Sequence, residues 1–381
     1  MIIFVPKERK SGEKRVAIVP DVVSKYLRAG FQVTVERGAG ISAQADDSSF
    51  ESTGAQIVAE SAIADADVIL SVNALTPEKI SKIKKGAITI SFLSPTQSLD
   101  SIGAAAKAGA TAFSLELVPR ISRAQSMDAL TSQALCAGYR AALVAADLAP
   151  RFFPLLMTAA GTVTPANVVV LGAGVAGLQA IATARRLGAV VSAYDVRPAS
   201  ADEVRSMGAT FIDLKLEALE GAGGYAREMS EERAAKQREL LTPYLAAADV
   251  VITTAAVPGR PAPRLVTEEM VNAMKEGSIV VDLAAESGGN VAGSVPGEIT
   301  EKNGVRIWGG KDVPSQLPFH ASQLFAKNCM NLLMLMVKSE EGKSSLVLDF
   351  DDEIIAASAL THNGEVRHEG AKAALSTGGG R

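Results

Sequence analysis

Residues that bind metals or form disulfides are scarce in this chain. Its 381 residues include two cysteines, Cys136 and Cys329, and three histidines, His320, His362 and His368. The cysteines do not have CxxC spacing, and the histidines do not form a cluster with metal-ligand spacing. We therefore expect a protein of a reducing compartment with no structural metal.

Runs of one charge and long apolar runs are missing as well. The 38 basic and 42 acidic residues are interspersed and give a formal net charge of -4, which argues against nucleic-acid binding. The most apolar late run, residues 332–337, is far shorter than the roughly 20 residues that span a bilayer. Charge appears already at Lys7, too early for a signal peptide. We expect a soluble, cytoplasmic chain.

The most informative segment is an apolar strand that runs into Gly-x-Gly-x-x-Gly. Residues 168–171 are Val-Val-Val-Leu, and Gly172, Gly174 and Gly177 follow, with Val175 at the start of a predicted helix. The first glycine permits a tight turn, the second lets the backbone approach a pyrophosphate, and the third allows the helix to pack on the strand. The pattern predicts a dinucleotide site whose anion faces the helix N-terminus.

An acidic residue after the next strand strengthens this prediction. The strand at residues 190–194 ends at Asp195, within the roughly 20-residue spacing expected for the acid that binds the ribose hydroxyls. A carboxylate there repels a 2′-phosphate, so we predict NADH over NADPH. Arg197, two positions later, partly offsets that repulsion.

Length, composition and an internal repeat predict the fold. The chain exceeds what one hydrophobic core organises, and 48% of its residues are hydrophobic, enough for two domains. Short apolar segments follow helices that end in glycine, an alternation typical of parallel sheets. We predict an α/β fold of two doubly wound, Rossmann-like parallel-sheet domains joined by long helices. The segments 54–58, 66–70 and 85–90 recur in order as 208–212, 248–252 and 276–281.

The two predicted domains differ in their capacity to bind a nucleotide. Residues 1–127 plus 320–381 form the first, whose opening segment has Pro6 and charged side chains in place of glycines, so we expect no dinucleotide there. Residues 128–319 form the nucleotide-binding domain. The connecting helices are predicted at 128–148 and 322–338, the second returning the chain to the first domain.

An insertion at residues 215–247 contains glycines around Tyr225 and then a charged helix. Such glycines are typical of a mobile loop, here near 220–230, that closes over a ligand, although composition fits a disordered polar excursion equally well.

Several ordered segments carry a family resemblance that covers nearly the whole chain. The chain resembles the NAD(H)-binding component, the soluble part of the α subunit, of proton-translocating NAD(P) transhydrogenases, within the alanine dehydrogenase/transhydrogenase family. The segments are 6–9, 13–17, 118–130, 157–163, 174–182 and 223–226.

The resemblance implies site residues. Arg120, Gln125 and Asp128 would contact the nicotinamide end of NAD(H), as a guanidinium, an amide and a carboxylate can hold the carboxamide and ribose without a strong acid or base at the ring. For Arg120 and Asp128 an interdomain ion pair is the alternative. Thr131 keeps a hydroxyl where we expect serine in the family. The expected cofactor contacts are Thr131, Gly172, Gly174, Val175, Gly177, Asp195 (adenosine ribose), Arg197, Gly224, Tyr225 (closing flap), Gln237 (peripheral) and Ala256.

Alanine dehydrogenase is the relative that competes with this interpretation. Its chemistry needs a lysine, a histidine and an aspartate for substrate binding and proton transfer, and this chain has Asn73, Ser94 and Glu286 at the corresponding places. Arg15 is retained, and a structural salt bridge explains it. Hydride transfer between two nicotinamide rings needs no proton transfer at carbon, so these losses favour a transhydrogenase.

The resemblance therefore implies that NADH on this chain passes hydride to NADP⁺ on a partner component, coupled to proton translocation by a membrane component. It also implies a homodimer, held peripherally on the cytoplasmic side of the inner membrane through its partners. An alanine dehydrogenase-like enzyme and a non-catalytic NAD(H)-sensing protein remain the alternatives.

Overall fold

The computed structural model describes residues 1–216, 230–256, 260–340 and 343–378. The chain divides into two compact units, Met1–Gln133 with Ser315–Arg381, and Ala134–Pro314. The sequence-based boundaries, after residue 127 and before residue 320, lie outside these points. The first unit extends into the following helix because Gln133, on its second turn, donates a hydrogen bond to the carbonyl of Ala321.

The helices and strands alternate along both units. The first 128 residues contain β1 (Ile2–Val5), α1 (Pro20–Arg28), β2 (Gln32–Glu36), α2 (Asp47–Ser52), β3 (Gln56–Val58), β4 (Val68–Leu70), α3 (Pro77–Ile80), β5 (Ile88–Ser91), α4 (Leu99–Lys107) and β6 (Thr111–Ser114). There follow α5 (Ala129–Leu148), β7 (Leu156–Thr158), β8 (Gly161–Val163), β9 (Asn167–Leu171), α6 (Val175–Arg186), β10 (Val190–Tyr194), α7 (Ser200–Ser206), β11 (Thr210–Phe211), α8 (Glu231–Ala247), β12 (Val250–Thr253), α9 (Glu268–Asn272), β13 (Ile279–Asp282), β14 (Ile299–Lys302) and β15 (Val305–Gly309). The C-terminal segment contains α10 (Pro318–Met334), β16 (Val337–Glu340), β17 (Lys343–Leu346), α11 (Glu353–Ser358), β18 (Ala359–His362), β19 (Glu365–Val366) and α12 (Glu369–Gly378).

The two main sheets repeat one strand order. The first unit has the order β19-β18-β6-β5-β4-β1-β2-β3, and the second has β11-β10-β9-β12-β13-β15-β14. From β3 to β6 and from β11 to β15 the strands are parallel and succeed one another in the same spatial order. The predicted pair of doubly wound sheets is thus confirmed, while β14, β18 and β19 add antiparallel edges that the repeat did not reveal.

Both central strands are buried on two faces. In β1, Ile3 and Val5 belong to one hydrophobic cluster and Phe4 to another, and β9 alternates in the same way between two clusters of the second unit. Side chains of successive strand residues point to opposite faces, so this alternation requires cover on each side of the sheet. The carboxyl ends of these strands therefore open onto loops, where such folds bind ligands.

The second connecting helix lies earlier than predicted. It spans Pro318–Met334 instead of 322–338, because Pro318 provides a favourable helix start and Lys338 is paired in the β16–β17 hairpin. In the part of the chain that the structure describes, no helix is both long enough and apolar enough to cross a membrane.

Candidate functional site

The turn between β9 and α6 depends on glycine at two positions. Gly172 has φ of +98°, a conformation that residues with a side chain rarely adopt. A Cβ at Gly177 would lie 1.9 Å from the Gly172 carbonyl oxygen, so only glycine allows the helix to pack this closely. Thr254 fastens the same turn, since its hydroxyl donates a 3.1 Å hydrogen bond to that oxygen.

Gly174 is different because its surroundings are open. No atom lies within 4 Å of the position that its Cβ would take, and it is the N-cap of α6. The backbone N–H groups at a helix N-terminus attract anions, and Val175 begins the helix. Free space beside these donors fits a pyrophosphate, as the fingerprint predicts.

Asp195 is tied to the glycine turn. Its carboxylate accepts a 2.7 Å hydrogen bond from the Ala173 backbone N–H, which places the acid beside the fingerprint. The backbone N–H, Nε and Nη2 of Arg197 also donate to the carboxylate, at 2.9, 2.9 and 3.0 Å. The two residues expected at the adenosine ribose are therefore paired directly with each other.

Two other expected cofactor contacts of the second unit have structural surroundings. Gln237 is buried and accepts a hydrogen bond from the Tyr194 hydroxyl at 2.9 Å, which joins α8 to the end of β10. Ala256 is exposed and ends a described range. Gly224 and Tyr225, expected on the mobile loop near 220–230, lie outside the described residues.

A buried amide shapes the loop after β12, and the sequence did not predict it. Asn290 accepts a hydrogen bond from the Ala255 N–H and donates to the Ala255 and Pro263 carbonyls. Thr254 was missed as well. The signal available for Thr254 was its place directly after a central strand, whereas nothing in sequence spacing connects Asn290 to residue 255.

The polar loop of the first unit leads into α5. Asp128 accepts hydrogen bonds from the Thr131 backbone N–H at 2.8 Å and from the Thr131 hydroxyl at 2.6 Å, which is the geometry of a helix N-cap. Arg120 and Gln125 are exposed. The structure therefore brings Asp128 and Thr131 together and gives both a local structural role.

A buried ion pair surrounds Arg15 in the first unit. Its Nε and Nη2 donate to the Glu13 carboxylate at 2.8 and 2.7 Å, and its Nη1 donates to Gln133 at 2.9 Å. Burial opposes ionisation of Glu13, but hydrogen bonds from Arg15 and from the Ser315 hydroxyl lower its pKa to about 2. This geometry supports the structural salt bridge proposed for Arg15.

The positions compared with alanine dehydrogenase hold structural contacts. The Asn73 amide donates to Glu8 and Glu13, each at 3.0 Å. Burial raises the pKa of Glu8, against the opposing effect of the Asn73 hydrogen bond. The Ser94 N–H donates to Glu116, and in the second unit Glu286 accepts from the Asp312 N–H.

Comparisons with known proteins agree with this architecture. Residues 4–137 match the family model "Alanine dehydrogenase/PNT, N-terminal domain", and residues 141–369 match "Alanine dehydrogenase/PNT, C-terminal domain". The chain is 48% identical to an NAD(P) transhydrogenase subunit alpha chain of Rhodospirillum rubrum, across 97% of this chain and 98% of that protein. It is 30% identical to alanine dehydrogenase of Bacillus subtilis, across 97% and 93% of the two chains.

A solved transhydrogenase structure from Sinorhizobium meliloti superposes with a TM-score of 0.85 and 45% identity, covering 97% of this chain and 99% of that one. The predicted resemblance is therefore confirmed, and the higher identities favour the transhydrogenase interpretation over alanine dehydrogenase. The chain belongs to the alanine dehydrogenase/PNT family.

Proposed function

We propose that this chain is the NAD(H)-binding component of a proton-translocating NAD(P) transhydrogenase. The observation that carries the proposal is the β9–α6 turn, where open space at Gly174 adjoins Asp195, bonded to the Ala173 N–H. The similarity to transhydrogenase α subunits supports the same function. The nucleotide on this chain is NAD(H), because a carboxylate at the ribose repels a 2′-phosphate.

The protein's task in this reaction is to bind and orient. The α6 N-terminus holds the pyrophosphate and Asp195 the adenosine ribose, while Arg120, Gln125 and Asp128 contact the nicotinamide end. A bound dihydronicotinamide supplies the hydride, which leaves with its electron pair for NADP⁺. Positioning within roughly 3 to 3.5 Å of the acceptor and exclusion of water are then the main contributions of the protein.

The proposed partners are an NADP(H)-binding component and a proton-conducting membrane component. Through them the chain is held peripherally on the cytoplasmic side of the inner membrane. It carries no acid or base for amine chemistry at Asn73 and Ser94, which supports hydride transfer to a second nucleotide over an alanine dehydrogenase-like reaction.

A homodimer is the assembly that we propose for this chain. The β7–β8 hairpin forms a sheet of its own, and its side chains are exposed, with Met157 at 78% exposure. A two-stranded hairpin is marginally stable alone in water, and exposed apolar patches mark interaction sites. A second copy of this chain supplies the missing cover, and Leu135 and Tyr139 add further exposed apolar surface.

The decisive experiment mixes this chain with a cognate NADP(H)-binding component and follows hydride transfer from NADH to an NADP⁺ analogue in a single turnover. Transfer supports the proposal. NADH binding without transfer would indicate a sensing protein, and NADH oxidation by pyruvate with ammonia would indicate an alanine dehydrogenase.

Gln125→Asn separates chemistry from binding in the same assay. The exposed side chain loses one methylene of reach, so the transfer rate should fall while NADH affinity changes little. Asp128→Ala should weaken both. An unchanged transfer rate for Gln125→Asn would remove the catalytic assignment of this residue.

A further inference from the structure

The Asp195 carboxylate is saturated with hydrogen bonds. An ionised carboxylate offers about four acceptor directions. Four N–H donors use them here: the Ala173 N–H and Arg197 Nη2 on Oδ2, and the Arg197 N–H and Nε on Oδ1. The Asp195 side chain is 7% exposed and that of Arg197 is 22% exposed, so little water competes with these bonds.

The four donors differ in their freedom to leave. The Ala173 N–H belongs to the glycine turn and the Arg197 N–H to the backbone after β10, so neither leaves without moving the main chain. The other two belong to one guanidinium on a rotatable side chain. A ribose diol also brings two donors, so one guanidinium and one diol are equivalent occupants of the same carboxylate.

We propose that Arg197 is a specificity-determining residue, whose guanidinium occupies the ribose-diol position on Asp195 and is displaced when the nucleotide binds. This rests on the proposed function, because it assumes that Asp195 receives the adenosine ribose. Displacement of the guanidinium weakens NAD(H) binding. The displaced group remains beside the ribose, where it pairs with a 2′-phosphate if one is present. Arg197 therefore narrows the discrimination that Asp195 alone imposes.

A competing role for Arg197 is that of a brace that holds Asp195 in position for the ribose. The two roles predict opposite signs. Loss of a competitor strengthens binding of a nucleotide with a free diol, whereas loss of a brace weakens it. The effect on a 2′-phosphorylated nucleotide follows from charge and is a loss in both cases.

The test uses the full-length chain with Arg197→Met, which keeps the aliphatic stem and removes the donors. Adenosine 5′-monophosphate and adenosine 2′,5′-bisphosphate report on the adenosine half alone, and NADH and NADPH on the whole site. We expect Arg197→Met to bind the monophosphate and NADH about 3- to 10-fold more tightly, and the 2′-phosphorylated pair about 10-fold more weakly. Arg197→Lys, which keeps the charge but not the forked donor, should fall between.

Arg205→Met is the matched control, since Arg205 forms an exposed ion pair with Asp202 on the neighbouring α7. It should change none of the four affinities. Circular dichroism melting identifies a variant that fails to fold, in which case Arg197→Lys decides the sign. Weaker or unchanged binding of the monophosphate by folded variants overturns the inference while leaving the proposed function intact. Failure of the unmutated chain to bind NADH overturns both.

Discussion

Gly177 and Gly174 belong to one fingerprint, yet the structure predicts opposite consequences for the same substitution. At Gly177 a methyl group would lie 1.9 Å from the Gly172 oxygen and 3.1 Å from the Thr254 hydroxyl, so α6 must move by more than about 1 Å to restore ordinary contact. Alanine gains about 1 kcal/mol in helix propensity, but overpacking of this kind costs about 3 kcal/mol or more. We expect a net loss of about 2 kcal/mol, which lowers the melting temperature by roughly 4 to 8 °C.

At Gly174 the added methyl meets no atom within 4 Å, and the backbone φ of -76° suits alanine. Gly174→Ala should therefore melt within about 2 °C of the unmutated chain, yet bind NADH at least about 10-fold more weakly, because the methyl occupies the approach to the helix N-terminus. Thermal melting and NADH fluorescence titration measure the two effects. Unchanged melting of Gly177→Ala, or unchanged NADH affinity of Gly174→Ala, would refute this division of roles.

Three further predictions concern other parts of the chain. Glu13→Gln should lower the melting temperature above pH 4.5 and lose this effect as the pH falls toward 2, because the Glu13 pKa is held at about 2 beside Arg15; a pH-independent difference in melting would contradict the ion pair. Asn290→Ala should lower NADH affinity by about 10-fold through release of Ala255, which titration would disprove if affinity were unchanged. Met157→Asp should shift the chain from dimer to monomer in light scattering at micromolar concentration, and a variant of unchanged mass would argue against the hairpin as the interface.

Much of the fold was predictable because its determinants are local. Short β-branched segments after helices that end in glycine repeat in both units, and they became β3 to β5 and β11 to β13 in the same spatial order. The antiparallel edges were not predictable in this way. Strand β18 pairs with β6 across some 250 residues of chain, and no local pattern specifies such a pairing. The end of α10 was also misplaced, because apolar residues continue past Met334 into the β16 hairpin.

For the site, the same distinction separates what was found from what was missed. Glycine requirements at residues 172 and 177 come from the backbone itself, and Asp195 follows at a spacing that the strand–helix–strand unit imposes. Thr254 and Asn290 act on backbone groups 82 and 35 residues away, so their roles exist only in the folded chain. The partner of Arg15 was unspecified for a similar reason, since several carboxylates lie near it in sequence and the fold selects Glu13.

The two carboxylates that we assign to opposite ends of the nucleotide are prepared differently. Each oxygen of Asp128 accepts one hydrogen bond from Thr131, and a carboxylate oxygen has two acceptor directions. Asp128 can thus accept the nicotinamide carboxamide without giving up the helix cap. At Asp195 the acceptor directions are filled, so the ribose binds by exchange with Arg197. Under the proposed function, contacts at the reacting end add to a site already in place, and the cost of exchange falls on the adenosine end, where it tunes nucleotide choice without disturbing the position of the ring.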